Sequence, residues 1–263
     1  MKVSLAIRRS QGGLEARREQ FSVTVRAGAT LLDALDQIKD ARDDSLAYRA
    51  ACGSGGCGAC GVRVDGRSVL ACETPVAPLV DGGHVPVVAP LGNLPVIRDL
   101  VVDMEPFWAK HRAIDPAPRV AAGSGAEAGA PDEVACVLCG VCVSECVSLA
   151  HDPDFLAPAA LAIARRHVAD ERESERVRAG RLANVAGEHG AGACVACGLC
   201  NERCPKGVEP LWSIAELRTL GPGGGSGGAG PLARVRGLLG RGDRSSGSKL
   251  LTALRAPDDD DDE

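Results

Sequence analysis

Apolar and polar residues alternate over residues 3–7 (VSLAI) and 21–25 (FSVTV), with QGGLEARREQ between them, a pattern that predicts a β-hairpin. From Thr30 the period lengthens. LLDALDQIKDARDD places positions 31, 32, 35 and 38 on one stripe and predicts a helix with Thr30 as its N-cap. Val62-Arg63-Val64 and Val69-Leu70-Ala71 flank Asp65-Gly66, a dipeptide that favours a tight hairpin turn, and His84–Val88 supplies one further strand. These elements predict a small mixed sheet crossed by one helix.

Beyond the sheet the pattern changes. VIRDLVVDMEPFWAKHR at 96–112 is amphipathic and predicts a connector, followed by a low-complexity linker, AAGSGAEAGAPD, at 121–132. Pro158 opens PAALAIARRHVADERE, ERVRAGRLANVAG continues as a second helix with charged outer positions, and LWSIAELRTL after Pro210 closes the helical region. Arg165, Arg166 and Arg172 are expected to pair with Asp170, Glu171 and Glu175 on exposed helix faces. The expected domains are 1–97 (sheet), 98–133 (connector and linker), 134–220 (helical) and 221–263, a Gly-rich and acidic tail expected to be disordered.

Composition narrows the function classes. The chain has 263 residues, 45% of them hydrophobic but only 2% aromatic, so its cores must be built from Ala, Val and Leu. Bound groups and partner contacts are therefore expected to add stability. A net charge of −5, from 30 Lys+Arg against 35 Asp+Glu, gives no sign of nucleic-acid binding. No apolar stretch reaches the roughly 18 residues of a membrane-spanning helix, so any membrane attachment is expected to run through a partner. MKVSLAIRRSQGG lacks the apolar core of a secretory leader. The GPGGGSGG run at 221–228 lacks the Lys-Ser/Thr ending of a phosphate loop.

The chemistry lies in twelve cysteines. Cys52, Cys57, Cys60 and Cys72 have the spacing of plant-type [2Fe–2S] ligation, on a loop containing Gly53, Gly55, Gly56, Gly58 and Gly61 whose amides are expected to turn toward sulfur. Cys136, Cys139, Cys142 and Cys146 form one C-x2-C-x2-C-x3-C run, and Cys194, Cys197, Cys200 and Cys204 form another, ending in proline. In two-cluster ferredoxins the fourth Cys of each run serves the other cluster. The expected sets are therefore Cys136, Cys139, Cys142 with Cys204, and Cys194, Cys197, Cys200 with Cys146. Zinc would favour paired C-x2–4-C knuckles, and disulfides an oxidising compartment. The spacing thus implies an electron carrier with three centres.

The order of these elements resembles the iron–sulfur subunit of succinate dehydrogenase and fumarate reductase. The resemblance is carried by the plant-type cysteine loop, LPVIRDLVVDMEPFWAKHRAIDP at 94–116, CVLCGVCVSEC, DPDFLAPAALAIARRHVADER at 152–172 and CNERCPKGVEP at 200–210. It implies an α+β chain: an N-terminal β-grasp plant-type ferredoxin domain followed by an all-helical, ferredoxin-like C-terminal domain. It further implies a FAD-containing flavoprotein partner that oxidises succinate or reduces fumarate, and membrane anchor subunits that bind quinone. The implied location is cytoplasmic, peripheral on the inner face of the plasma membrane. The chain itself is expected to hold no catalytic residue or substrate site.

Several positions depart from the family pattern. The family usually has a non-Cys residue where Cys197 stands, giving [3Fe–4S], so here the third centre is expected to be [4Fe–4S] or [3Fe–4S] with Cys197 as a possible fourth ligand to Cys146, Cys194 and Cys200. Val147 and His151 replace the usual proline and the aromatic of the quinone pocket, Val195 replaces a histidine, and Gly53 replaces a loop arginine. Two other readings stay open: a fumarate reductase subunit coupled to a thiol or low-potential quinol donor, and a free multi-cluster ferredoxin.

Overall fold

The computed structural model describes residues 1–10, 16–119 and 132–220. The expected tail, and all of the expected linker except Asp132, lie outside these residues. β1 (Lys2–Arg9) and β2 (Arg17–Thr24) form the predicted hairpin, in register Val3 with Val23 and Leu5 with Phe21. Alternation turns Val3, Leu5 and Ile7 inward, where they meet Leu31, Leu35 and Ile38 of α1 (Leu31–Ala41). Thr30 caps α1 in a full capping box: Asp33 N donates to Thr30 Oγ1 (3.2 Å) and Thr30 N to Asp33 Oδ2 (2.8 Å).

β3 (Gly61–Val64) and β4 (Arg67–Leu70) follow, joined at Asp65 and Gly66, both left-handed (φ 49° and 84°) as a hairpin turn of this twist requires. β5 (Val87–Ala89) starts three residues later than the pattern predicts, because Pro86 has no N–H to give to a ladder. The sheet order is β2-β1-β5-β3-β4, with β1 and β5 parallel and every other pair antiparallel.

The predicted amphipathic connector is helical only in its second half. Residues 96–102 make a second, two-stranded sheet of β6 (Val96–Arg98) and β7 (Val101–Val102), and α2 spans Glu105–Ala113. Asp99 explains the difference. Its buried carboxylate accepts from Arg9 Nε (3.0 Å), Ser10 N (3.1 Å) and Ala47 N (2.9 Å), and a helix would pull it off these donors.

The C-terminal half contains α3 (Val141–Ser144), α4 (Val147–His151), α5 (Pro158–Val168), α6 (Glu175–Val185), α7 (Leu199–Arg203) and α8 (Pro210–Leu220). α5 is the central rod, with Pro158 to Ala164 all buried, packed mainly on α8 and α6. Its alanines let neighbours approach closely, which is how a chain so poor in aromatics fills a core. Arg172 pairs with Asp170 (2.7 Å), but beyond the end of α5 and partly buried rather than on an exposed helix face, whereas Arg165 reaches Glu133 (3.1 Å) and Glu216 (2.7 Å). Helix α5 ends at Val168, and Glu173 lies buried against Arg181.

Polar contacts join the two halves. Ser68 of β4 bonds Ser144 (Oγ to Oγ, 2.7 Å), Ser144 Oγ also accepts from Gly92 N (2.7 Å), and Asn93 Nδ2 donates to the carbonyls of Val143 and Cys146 (2.9 Å each). Val141 at the start of α3 is buried in the sheet domain's core. The cysteine-bearing turn around α3 is thereby fixed against the sheet.

Candidate metal centres

The loop from Cys52 to Cys60 is turned around its sulfurs. Cys52 Sγ accepts from the amides of Ser54 (3.4 Å), Gly56 (3.2 Å) and Cys57 (3.3 Å), and Cys72 Sγ accepts from Gly55 N (3.2 Å). The Ser54 amide, followed by the Cys57 thiol and amide, holds the Cys52 thiol down at about 6. Amide-lined sulfur is a site made for anionic thiolates. Cys60 and Cys72 are buried with their Sγ atoms 3.3 Å apart, while Cys52 and Cys57 lie together at the exposed edge. The four therefore divide into an inner and an outer pair. Among the five loop glycines singled out by the sequence, Gly56 and Gly61 do not adopt positive φ; Gly61 instead faces the Cys139 carbonyl, 3.2 Å from where a Cβ would stand.

The other two runs repeat one backbone design. Leu138 and Gly140 are left-handed (φ 55° and 77°), as are Ala196 and Gly198 (φ 56° and 80°), and each glycine opens a short helix, α3 or α7. A left-handed non-glycine costs roughly 1–3 kcal/mol, and the same strain recurs at matching positions in both runs. Cys197 thus stands on the same local backbone as Cys139.

Tertiary packing then crosses the runs. Cys136, Cys139, Cys142 and Cys204 line one cavity with Ala159 and Ala162 of α5, Pro205 and Lys206. Cys146, Cys194, Cys197 and Cys200 form the second gathering: the thiols of Cys194, Cys197 and Cys146 all act on Cys200, and those of Cys194 and Cys197 act on Cys146. Burial, reinforced by neighbouring sulfurs, pushes Cys139 and Cys146 up to about 11 and Cys142 well above its ordinary value. Cys142 also packs against the small buried cluster of Cys200 and Leu211, so the two gatherings adjoin.

Among the described residues, the one group of three His, Cys, Asp or Glu ligand atoms lying within 4.8 Å of one another is Asp152, Asp154 and His189. No cysteine trio closes that tightly, as tetrahedral zinc would demand. Thiols that share a cavity yet stand wider apart than this fit a polynuclear iron cluster, whose positive charge offsets thiolate repulsion.

Comparison with known proteins agrees with this geometry. Residues 4–109 match the 2Fe-2S iron-sulfur cluster binding domain, and residues 134–208 the 4Fe-4S dicluster domain. The fumarate reductase iron-sulfur subunit of Mycobacterium tuberculosis (strain CDC 1551 / Oshkosh) is 38% identical over 212 residues, covering 76% of this chain and 84% of that one. The chain belongs to the iron–sulfur subunits of fumarate reductase and succinate dehydrogenase. The succinate dehydrogenase iron-sulfur subunit of Coxiella burnetii (strain RSA 493 / Nine Mile phase I) is 33% identical to this subunit over 210 residues, with 76% and 87% covered. In fold, the subunit is similar to a chain of the Mycobacterium smegmatis Sdh1 complex in the apo form, with a TM-score of 0.66 at 22% identity, covering 83% of this chain and 95% of that one.

This iron–sulfur subunit is the electron-transfer part of an oxidoreductase, an α+β chain with a [2Fe–2S] domain followed by a helical dicluster domain. Several supporting residues carry no cysteine-like signature in the sequence. Arg218 of α8 donates to the carbonyls of Ala191 (2.8 Å), Gly192 (3.2 Å) and Cys194, and so positions the start of the last run. Ser148 Oγ accepts from Val195 N (2.9 Å). His151 ends α4 with its side chain exposed.

Proposed function

We propose that Cys52, Cys57, Cys60 and Cys72 hold the [2Fe–2S] cluster, Cys136, Cys139, Cys142 and Cys204 a [4Fe–4S] cluster, and Cys146, Cys194, Cys197 and Cys200 a second [4Fe–4S] cluster. When bound, the clusters supply one-electron oxidation and reduction. The chain's own work is spacing. A Cβ on Gly58 would lie 2.8 Å from Cys139 Cβ, so the first cysteine loop touches the second, and Cys142 adjoins Cys200 of the third. This end-to-end contact is the observation that carries the reading: single electrons pass between a FAD-containing flavoprotein subunit at the exposed Cys52–Cys57 edge and a membrane quinone beyond Cys194–Cys200. Anchor subunits supply the quinone site, and the subunit sits peripherally on the inner face of the plasma membrane. Among the described residues no helix is long and apolar enough to cross a membrane, which is consistent with attachment through partners.

Cys57→Ser is expected to abolish the [2Fe–2S] signal while leaving the other centres assembled, because the helical half brings its own ligands together. Low-temperature EPR of the reduced complex checks this. An unchanged [2Fe–2S] spectrum would show the loop assignment to be wrong.

Cys197 decides the third centre. Its backbone match to Cys139 and its thiol's action on Cys146, Cys194 and Cys200 support a fourth ligand. Cys197→Ala is expected to remove one iron per chain and to give the air-free oxidised protein a [3Fe–4S] EPR signal that the unsubstituted protein lacks. A stoichiometric [3Fe–4S] signal in both would sink the assignment. A fourth thiolate changes net charge and cluster type together. The potential it gives is expected to be lower, which suits a low-potential quinol donor and favours the fumarate-reducing direction.

A further inference from the structure

Lys206 stands where the first two cysteine groups meet. Its Nζ donates to Glu73 Oε1 at 2.7 Å, and Glu73 directly follows Cys72. The same side chain, only 21% exposed, lines the cavity framed by Cys136, Cys139, Cys142 and Cys204. The ion pair also sits against the first loop. A Cβ on Gly55 would lie 2.0 Å from Glu73 Oε1 and 2.7 Å from Lys206 Nζ, and the Gly55 amide donates to Cys72 Sγ at 3.2 Å. Glycine at this left-handed position (φ 72°) is what makes room for the pair.

One ammonium, largely covered, and one carboxylate, 36% exposed to solvent, are thus held between two sulfur clusters' ligands. The field of Cys72 and Cys139 at Lys206 agrees with that placement, although the hydrogen bond to Glu73 acts on it more strongly. Other contacts between the halves, including Ser68 with Ser144 and Arg67 with Glu202 (3.9 Å), do not depend on this pair. Joining the domains is therefore not a sufficient account of why a charge pair occupies this point.

We propose that Lys206 and Glu73 are positioning residues that set the reduction potentials of both the first and the second centre, with opposite signs. This rests on the ligand sets proposed above. Each centre becomes more negative by one charge when an electron arrives from the flavoprotein subunit. A nearby ammonium favours the reduced form and a nearby carboxylate disfavours it, and the better-covered ammonium is screened less than the solvent-facing carboxylate. Because the pair faces both centres, a change in either member moves both potentials in one direction.

The test uses the purified complex, titrated through mediators and followed by EPR, with iron content and thermal unfolding recorded alongside. Lys206→Met is expected to lower the potentials of both centres, leaving an unpaired carboxylate beside Cys72, and Glu73→Gln to raise both. Lys206→Arg should restore values near those of the unsubstituted complex. Clusters present at full iron content with potentials unmoved, and only the unfolding temperature reduced, would make the pair a domain staple and overturn the proposal. If the unsubstituted complex showed no signals assignable to the first two centres, the ligand sets themselves would fall, an outcome distinct from unmoved potentials.

Discussion

Gly58→Val is expected to slow electron passage from the first centre to the second and to destabilise the contact between the two domains. Gly58 has φ 70°, a conformation that a β-branched residue rarely adopts, at a cost of roughly 1–3 kcal/mol. A new Cβ would also stand 2.8 Å from Cys139 Cβ and from the Val137 carbonyl, and forcing atoms into a packed interface costs about 1–3 kcal/mol more. The sheet domain can relieve the clash by backing away from the Cys136–Cys142 turn. Freeze-quenched EPR during reduction by succinate would then show the first centre filling ahead of the second. Wild-type kinetics together with a wild-type unfolding temperature would show that the two loops do not touch in solution.

Arg181→Met is expected to cost about 3–5 kcal/mol, the usual penalty for stranding one member of a buried ion pair. Arg181 Nε donates to Glu173 Oε2 at 2.6 Å, and its other nitrogens reach Glu173 Oε1 (2.7 Å) and the carbonyls of Asp115 and Ala117. Glu173 also accepts from Arg119 N (3.0 Å). The pair therefore ties residues 115–119 to the helical half. Burial pushes the Glu173 carboxyl up, but Arg181 and the Arg119 amide outweigh it and leave it below its ordinary value. In the variant the Arg181 contribution is gone, and burial, the largest single influence on the group, moves the carboxyl upward. A folded pKa above the unfolded one favours the folded state at low pH, so the loss should be larger near pH 8 than near pH 5. Unfolding temperature should fall by about 10 °C at the higher pH for a chain of this size. Adding Glu173→Gln should recover part of the loss, and a pH-independent loss with no such recovery would contradict the buried-pair account.

The elements that could be read from local pattern are those whose cause is local. The hairpin of β1 and β2, the N-cap at Thr30 and the Asp65-Gly66 turn each depend on neighbours within a few residues, and each formed. Cysteine spacing likewise marked the three groups, because a short loop around a cluster is a local constraint. What escaped was set by distant partners. Asp99 keeps the first half of the amphipathic connector out of a helix because Arg9, some ninety positions earlier, holds its carboxylate. Arg165 ignores its neighbours for Glu133 and Glu216, and Arg181 looked like a solvated helix position until Glu173 folded over it. Arg218, Lys206 and Asn93 support the sites through carbonyls or one carboxylate, and periodicity cannot show that.

The short helix α3 stands between the two cysteine gatherings of the helical half, with Cys142 serving one and Cys146 the other. Under the proposed ligand sets, each gathering is closed only when the run beginning at Cys194 swings back over that turn. Maturation of the helical half is then a single event, in which neither cluster can be delivered to a finished pocket before the other. Oxidative loss of one cluster would likewise loosen the clasp around its neighbour. Damage by oxygen would retire the half as a unit, and repair would have to rebuild both centres together.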